Sequence, residues 1–218
     1  MKAALLILAV PACIACAGLP RITPAGEKEK SDIVKRCAAP FLSRPWRLVH
    51  SIDGTLPGGA TAMMIGVTVA SPDTGRLRCT LMSIEGLVLL DVDYDAKLVI
   101  KRGIGPLADP ELVMGMIRDI RLMLFRPAGA CAEAGTREGG SDTCRYRADE
   151  GTVDVMTRSD GGAEIVSYDS SLKPSRTVRL SDFRADGLPR RIELAASGML
   201  SYSLRLDLIE AEQVRQRD

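Results

Sequence analysis

Tyr202-Ser203-Leu204-Arg205-Leu206-Asp207-Leu208-Ile209, near the end of the 218-residue chain, decides the fold class. Tyr202, Leu204, Leu206 and Leu208 fall on one side of an extended backbone, and Ser203, Arg205 and Asp207 on the other. That period-two pattern marks a strand with one face in an apolar interior and one in water. Upstream, the same pattern predicts strands at Arg190–Ala196, Ser175–Asp182, Ala163–Tyr168, Thr152–Arg158 and Thr143–Ala148, with the last strand extending over Leu200–Ile209. The breaks Asp186-Gly187, Asp160-Gly161-Gly162 and Glu150-Gly151 are turn chemistry. Five more strands are predicted at Trp46–Ile52, Thr61–Ala70, Arg76–Ile84, Leu87–Tyr94 and Lys97–Arg102, with tight turns at Glu85-Gly86 and Asp95-Ala96. Strands joined by such short turns are antiparallel neighbours.

Between the two groups lies an apolar helix over Pro110–Phe125. Asp109 is its N-cap, Pro110 occupies the first turn, and Glu111 meets the positive end of the dipole. Val113, Met116, Ile117, Ile120, Met123 and Leu124 recur at helical spacing, and Leu112, Met114 and Leu122 widen the apolar surface. Only Arg118, Asp119 and Arg121 form a polar strip. A helix this apolar is buried. The predicted class is mainly β with helices (α+β): about eleven antiparallel strands, strongly curved around an apolar helix.

The amino terminus reads as an export signal. Met1-Lys2 is followed by an apolar run, Ala3–Val10, and then Pro11-Ala12-Cys13-Ile14-Ala15-Cys16. A cysteine directly after a small residue is the mark of a lipoprotein signal, in which the thiol takes a diacylglycerol and the chain is cut before it. Cys16 is the expected lipidation site and Cys13 the alternative. An ordinary secretory signal is the plainer reading. Two or more acyl chains give stable anchoring. The expected divisions are a signal at 1–15, an acylated cysteine and flexible linker at 16–29, the sheet domain at 30–209 and a polar tail at 210–218. A first helix is expected to begin after Ser31 as N-cap and to end before Pro40.

Composition excludes some functions. Net charge is +1, which implies no polyelectrolyte partner, and aromatic residues are 4% of the chain, too few for stacking on nucleic-acid bases. Four cysteines lie beyond the signal: Cys37, Cys79, Cys131 and Cys144. In an exported chain an even count predicts disulfides. Three pairings exist; Cys131 with Cys144, flanking a Gly-rich loop, is the expected one. Cys37 and Cys79 form either a second bridge or two buried thiols. One histidine and no metal-knuckle cysteine spacing leave no zinc site.

The order helix, five strands, helix, six strands, together with Ile84-Glu85-Gly86-Leu87-Val88-Leu89-Leu90-Asp91 and Asp186-Gly187-Leu188-Pro189-Arg190-Arg191-Ile192-Glu193-Leu194, resembles the lipoprotein carrier and receptor proteins LolA and LolB and their lipoprotein relatives. The resemblance runs from Trp46 to Ile209. It implies an unclosed antiparallel barrel of eleven strands, helices over its mouth, and an interior that holds acyl chains. The anchor is similar to that of the receptor. The receptor shows an exposed apolar residue between its third and fourth strands; here that connection is only the turn Ile84–Leu87.

On this resemblance the acyl cavity is expected to be lined by Val67, Val69, Leu77, Leu81, Leu90, Val92, Leu204 and Leu206, with Met116 and Ile120 of the helix. Methionine adapts to irregular ligands, although ordinary core filling explains it equally well. Asp91-Val92-Asp93-Tyr94-Asp95 opens like a calcium loop, but Ala96 and Arg102 stand where Gly and Glu are needed, so a solvated strand face is expected. His50, the only histidine, alternates with Leu48 and Ile52 and reads as a barrel histidine before a general base. Cys79 alternates with Leu77 and Leu81 and reads as core or disulfide. No catalytic centre, metal or cofactor is expected.

The sequence therefore predicts a monomeric lipoprotein, palmitoylated or similarly acylated, on the outer membrane and facing the periplasm. Its partners would be the membrane, a lipid or acylated protein, and an envelope protein. The alternative is a structural lipoprotein whose barrel is filled by its own side chains and whose outer face docks an envelope partner.

Overall fold

The computed structural model describes residues 18–148, 151–198 and 201–214. The signal stretch, Cys13, Cys16 and the end of the tail lie outside these residues. A short strand β1 (Ile22–Pro24) leads into α1 (Glu27–Ala38). Five strands follow: β2 (Trp46–Thr55), β3 (Thr61–Ser71), β4 (Arg76–Ser83), β5 (Val88–Asp95) and β6 (Lys97–Gly103). After a 3₁₀ turn at Gly105–Ala108 comes α2 (Pro110–Leu124). The chain closes with β7 (Cys131–Arg137), β8 (Asp142–Ala148), β9 (Gly151–Thr157), β10 (Ala163–Tyr168), β11 (Pro174–Phe183), β12 (Pro189–Ala196) and β13 (Tyr202–Gln213).

Among the described residues all thirteen strands form one sheet, in the order β1-β7-β8-β9-β10-β11-β12-β13-β2-β3-β4-β5-β6. Every neighbouring pair is antiparallel. The edge strands β1 and β6 do not pair with each other, so the sheet stays open. Its inner face carries the row Cys144, Val155, Ile165, Val178, Leu194 and Leu204 from one strand to the next. Both helices contribute buried side chains to this core: Ile33 and Cys37 from α1, and Val113, Ile117, Met123 and Leu124 from α2.

The strand count exceeds the expected eleven by β1 and β7. β7 begins Cys131-Ala132-Glu133, and a bulge there breaks the alternation that marks a strand in sequence. β1 is three residues long and ends in Pro24, which an edge strand tolerates. Gly135 makes this pairing possible: a Cβ there would lie 1.9 Å from the Thr23 carbonyl oxygen.

β1 also corrects the expected linker at 16–29, because the chain is already held by residue 20. The Pro20 carbonyl accepts from Arg145 Nη2 at 2.8 Å, and Arg145 is itself paired with the wholly buried Asp154 through two bonds of 2.7 and 2.8 Å. Leu19 packs on Met156, Val166 and Tyr168 of the outer face. The segment thus crosses the β7 edge from the outer face to the inner one. α1 starts at Glu27, earlier than Ser31. Gly26 is the N-cap, its carbonyl takes the Lys30 amide at 2.8 Å, and Glu27 and Glu29 favour the first turn.

At the other end β13 runs past Ile209 to Gln213, which pairs with Trp46. A bulge between Leu208 and Glu210 shifts the register, and Glu210 meets Arg47 at 2.9 Å. The first part of the expected tail is therefore strand.

Adding a methyl at Gly135 should detach β1. Gly135→Ala is expected to raise amide exchange at Ile22 and Thr23 and to expose Arg21 to trypsin, while β8–β10 keep their protection. Unchanged exchange at both residues would contradict the close-approach account.

Candidate functional site

The inner face under α2 is where the sequence places an acyl cavity. α2 forms as predicted: Asp109 caps it by accepting the Glu111 amide at 2.9 Å, and Val113, Ile117, Met123 and Leu124 are buried. Met114, Met116, Ile120 and Leu122 are partly buried against the same core. The expected polar strip is corrected. Arg118 is exposed, but Asp119 is buried at 6% exposure. Its carboxylate accepts from Arg176 Nε of β11 at 2.9 Å and from the Tyr202 hydroxyl of β13. Arg176 also stacks on the Tyr202 ring, 5.5 Å from its centroid. Burial, and then the Asp119 charge, push the Tyr202 hydroxyl up from its ordinary range, keeping the proton it donates.

Arg121 is not a free surface charge either. It donates to the Gly75 carbonyl at 3.0 Å, in the β3–β4 turn, and lies over the Tyr94 and Phe125 rings. The helix therefore spans the open sheet, with Asp119 on the β11–β13 side and Arg121 on the β3–β5 side.

Leu77, Leu81, Leu90, Val92 and Leu206 are buried on the inner face, and Leu204 is half-buried there. Val67 and Val69 are not: they stand on the outer face, opposite Thr80 and Arg78. The inward positions of β3 include Met64, Gly66, Thr68 and Ala70, the last three small because space is short. A Cβ on Gly66 would sit 2.7 Å from Ile52 Cδ1. Ile65, Val67 and Val69 point outward, which reverses the phase that hydrophobicity alone suggests.

At the end of α2 the side chains leave little room. A void between Leu42, His50, Met123 and Ile192 measures only about 10 Å³. A cavity of about 780 Å³ lies elsewhere, where β2, β3 and β11–β13 run together. It is lined mainly by outward-facing side chains, among them Asp53, Thr55, Met63, Arg179, Glu193 and Arg205. Charged side chains stand beside Met63, Leu194 and Leu204 in this groove, which is open to solvent and is not an enclosed acyl site.

The other sites of interest have structural partners. Asp91 and Asp93 face Arg78, Asp93 also pairs with Lys101, and Asp95 pairs with Arg76 at 2.9 Å. These carboxylates form a charge-paired outer face. His50 is 5% exposed and lies among Leu48, Met123, Ile192 and Leu208. Burial lowers its pKa to about 4 although Asp207 opposes the change, so it is neutral near pH 7. The structure shows no disulfide among the four described cysteines, the expected Cys131–Cys144 bridge included. Cys79 sits on β4 between Thr68 and Val92, away from Cys37, whose sulfur lies against β9.

This architecture has solved counterparts. A LolA superfamily protein of Nitrosomonas europaea superposes with a TM-score of 0.54 over 87% of this chain and 94% of that one, at 10% identity. The chain has a LolA-like fold. A domain described as that of an outer membrane lipoprotein-sorting protein of Vibrio parahaemolyticus gives a TM-score of 0.39 at 7% identity, over 88% of this chain and 95% of that one. MucB gives 0.35 at 15% identity, over 88% of this chain and 62% of its own. No family model and no curated protein matches the sequence.

Within the LolA-like fold, the groups that sequence reasoning missed are Asp119, Arg176 and Tyr202. One signal was available: an Asp among apolar residues on a helix too apolar to be exposed. Arg176 and Tyr202 belong to different strands, and only the sheet order brings them together.

His50 makes stability depend on pH. Its folded pKa lies near 4 against 6.5 in the unfolded chain. The stabilisation is complete above 6.5 and is lost as pH falls toward 4, on the order of 3 kcal/mol in all. Denaturant unfolding between pH 7 and 4 should show this loss, and His50→Gln should flatten it. Equal slopes in the two proteins would contradict the assignment.

Proposed function

We propose that this chain is a non-catalytic, lipid-anchored protein of the cell envelope that takes up the acyl part of a lipid or lipoprotein beneath α2. One observation carries the reading: an apolar helix, joined to the sheet by side chains, is held over the apolar inner face by a buried Asp119–Arg176–Tyr202 contact. A permanent lid has no need of a buried carboxylate, since well-packed apolar residues cover a core at least as well. A lid that opens gains from one, because water can solvate the charges when they part.

In this reading the 10 Å³ void belongs to the closed form. On opening, Met114, Met116, Ile120 and Leu122 exchange contacts with the sheet for contacts with the acyl chain. The β4–β5 turn carries two exposed apolar side chains, Ile84 at 60% and Leu87 at 51%, where the receptor of the resembled family shows one. Anchoring by Cys16 would place the domain on the outer membrane, facing the periplasm, as a monomer that meets lipid, acylated protein or an envelope partner there.

A second reading also has an observation in its favour. The small void at the end of α2 and the 780 Å³ groove of mixed polar and apolar lining suit a structural lipoprotein that docks an envelope partner through its outer face.

Uptake of a fluorescent fatty acid by the chain from Gly18 onward separates the two readings. Asp119→Asn should lower stability by about 2 kcal/mol, through the half-paired Arg176, yet raise uptake. Met116→Glu should lower uptake, and Arg118→Glu, on the exposed side, should leave it unchanged. No uptake by wild type or by Asp119→Asn at micromolar probe rejects the carrier reading and favours the docking one.

Anchoring is tested separately. Cys16→Ala should release the protein from membranes or leave it uncleaved. Unchanged processing and attachment would exclude Cys16 and leave Cys13 to be tested.

A further inference from the structure

Three of the four described thiols meet on the inner face. Cys144 of β8 stands opposite Val155 of β9. The Cys37 thiol, in the last turn of α1, donates to the Val155 carbonyl at 3.5 Å. Cys131 of β7 stands opposite Tyr146, and so lies diagonal to Cys144 on the same face. Cys37 and Cys144 are wholly buried, whereas Cys131 is partly exposed. Cys144 is thus the middle member and has two candidate partners.

We propose that the exported protein carries a Cys37–Cys144 disulfide, which staples α1 to β8, and that Cys131 stays a free thiol. The inference rests on the export reading, since a cytosolic chain would keep its thiols reduced. Geometry favours Cys37 over Cys131. Cys131 sits at the β7 bulge, and its thiol already donates to the Glu133 carbonyl at 3.0 Å, a contact that a bond to Cys144 would break. Cys37 approaches from the helix above, with its sulfur already against the ladder position opposite Cys144.

The adjoining Cys37 thiol, and after it burial, push the Cys144 thiol far above its ordinary range. Burial, and then Cys144, push Cys131 up to about 12. In the folded protein these thiols are un-ionised and poor nucleophiles. The bond therefore forms as α1 settles against β8 and β9, while the thiols still meet water. The Cys144 and Cys37 thiols each give up a proton and together two electrons to an envelope oxidant carrying a disulfide. One S–S bond forms in the protein, and the oxidant leaves as a dithiol.

The test is a non-reducing peptide map of the full chain purified from the envelope, with signal cleavage checked on the same sample. The expected result is a Cys37–Cys144 cross-linked peptide with Cys79 and Cys131 alkylated. A Cys131–Cys144 cross-link, or free thiols in a processed chain, would overturn the proposal. In parallel the reduced, denatured protein is refolded in the presence of glutathione disulfide. The same bond appearing there but not in cells would reject the export reading and keep the pairing. Reduction should lower the melting temperature of wild type and of Cys131→Ser by about 10 °C, because the bond closes a loop of about 100 residues. It should leave Cys37→Ser and Cys144→Ser unmoved. A shift that survives in Cys37→Ser would also overturn the pairing.

Discussion

An open antiparallel sheet with one apolar face has to cover that face, and most of this structure follows from the requirement. Thirteen strands curl far enough to form a trough, but β1 and β6 never meet. Side chains from β2 to β13 therefore point into a space that only the helices can close. α1 contributes Ile33 and Cys37 over β7–β9, and α2 supplies the larger apolar surface elsewhere. Without α2, Leu77, Leu81, Leu90, Val92 and Leu206 would face water, at roughly 1.5–3 kcal/mol for each large side chain.

Two buried polar groupings hold the cover in place, and they differ in kind. Asp154 with Arg145 fixes the outer face of β8–β10 and fastens the amino-terminal segment through Pro20. Each member there has several partners, the Tyr168 hydroxyl included, so the grouping behaves as a permanent clamp. Asp119 with Arg176 and Tyr202 joins a helix to a sheet across a boundary otherwise made of apolar contacts. Breaking it leaves each member able to regain water, because Arg176 is already partly exposed. That difference separates a clamp from a latch.

Much of the architecture was legible because antiparallel strands with one wet face announce themselves. β10 was read with its observed bounds, and α2 with its cap and buried stripe. β7 was hidden by its bulge and small residues, and β1 by its length and its proline. The phase of β3 was misread because Val67 and Val69 cover the sheet's back, while Gly66, Thr68 and Ala70 face a crowded interior. Of the expected cavity lining, the strand positions other than those two valines face inward. The groups that fasten α2 were not legible, because Asp119, Arg176 and Tyr202 meet only through the order in which β11, β12 and β13 pair. Pair contacts between distant strands leave no periodicity in the chain.

The central claim is that α2 opens as a unit while the sheet stays folded. Hydrogen–deuterium exchange of the amides in Pro110–Leu124, compared with those of β12 and β13, tests it most directly. The account predicts that α2 exchanges through an opening less costly than global unfolding, and that a fatty acid changes its protection without changing that of the strands. Exchange of α2 only together with β12 and β13, and indifferent to fatty acid, would contradict it.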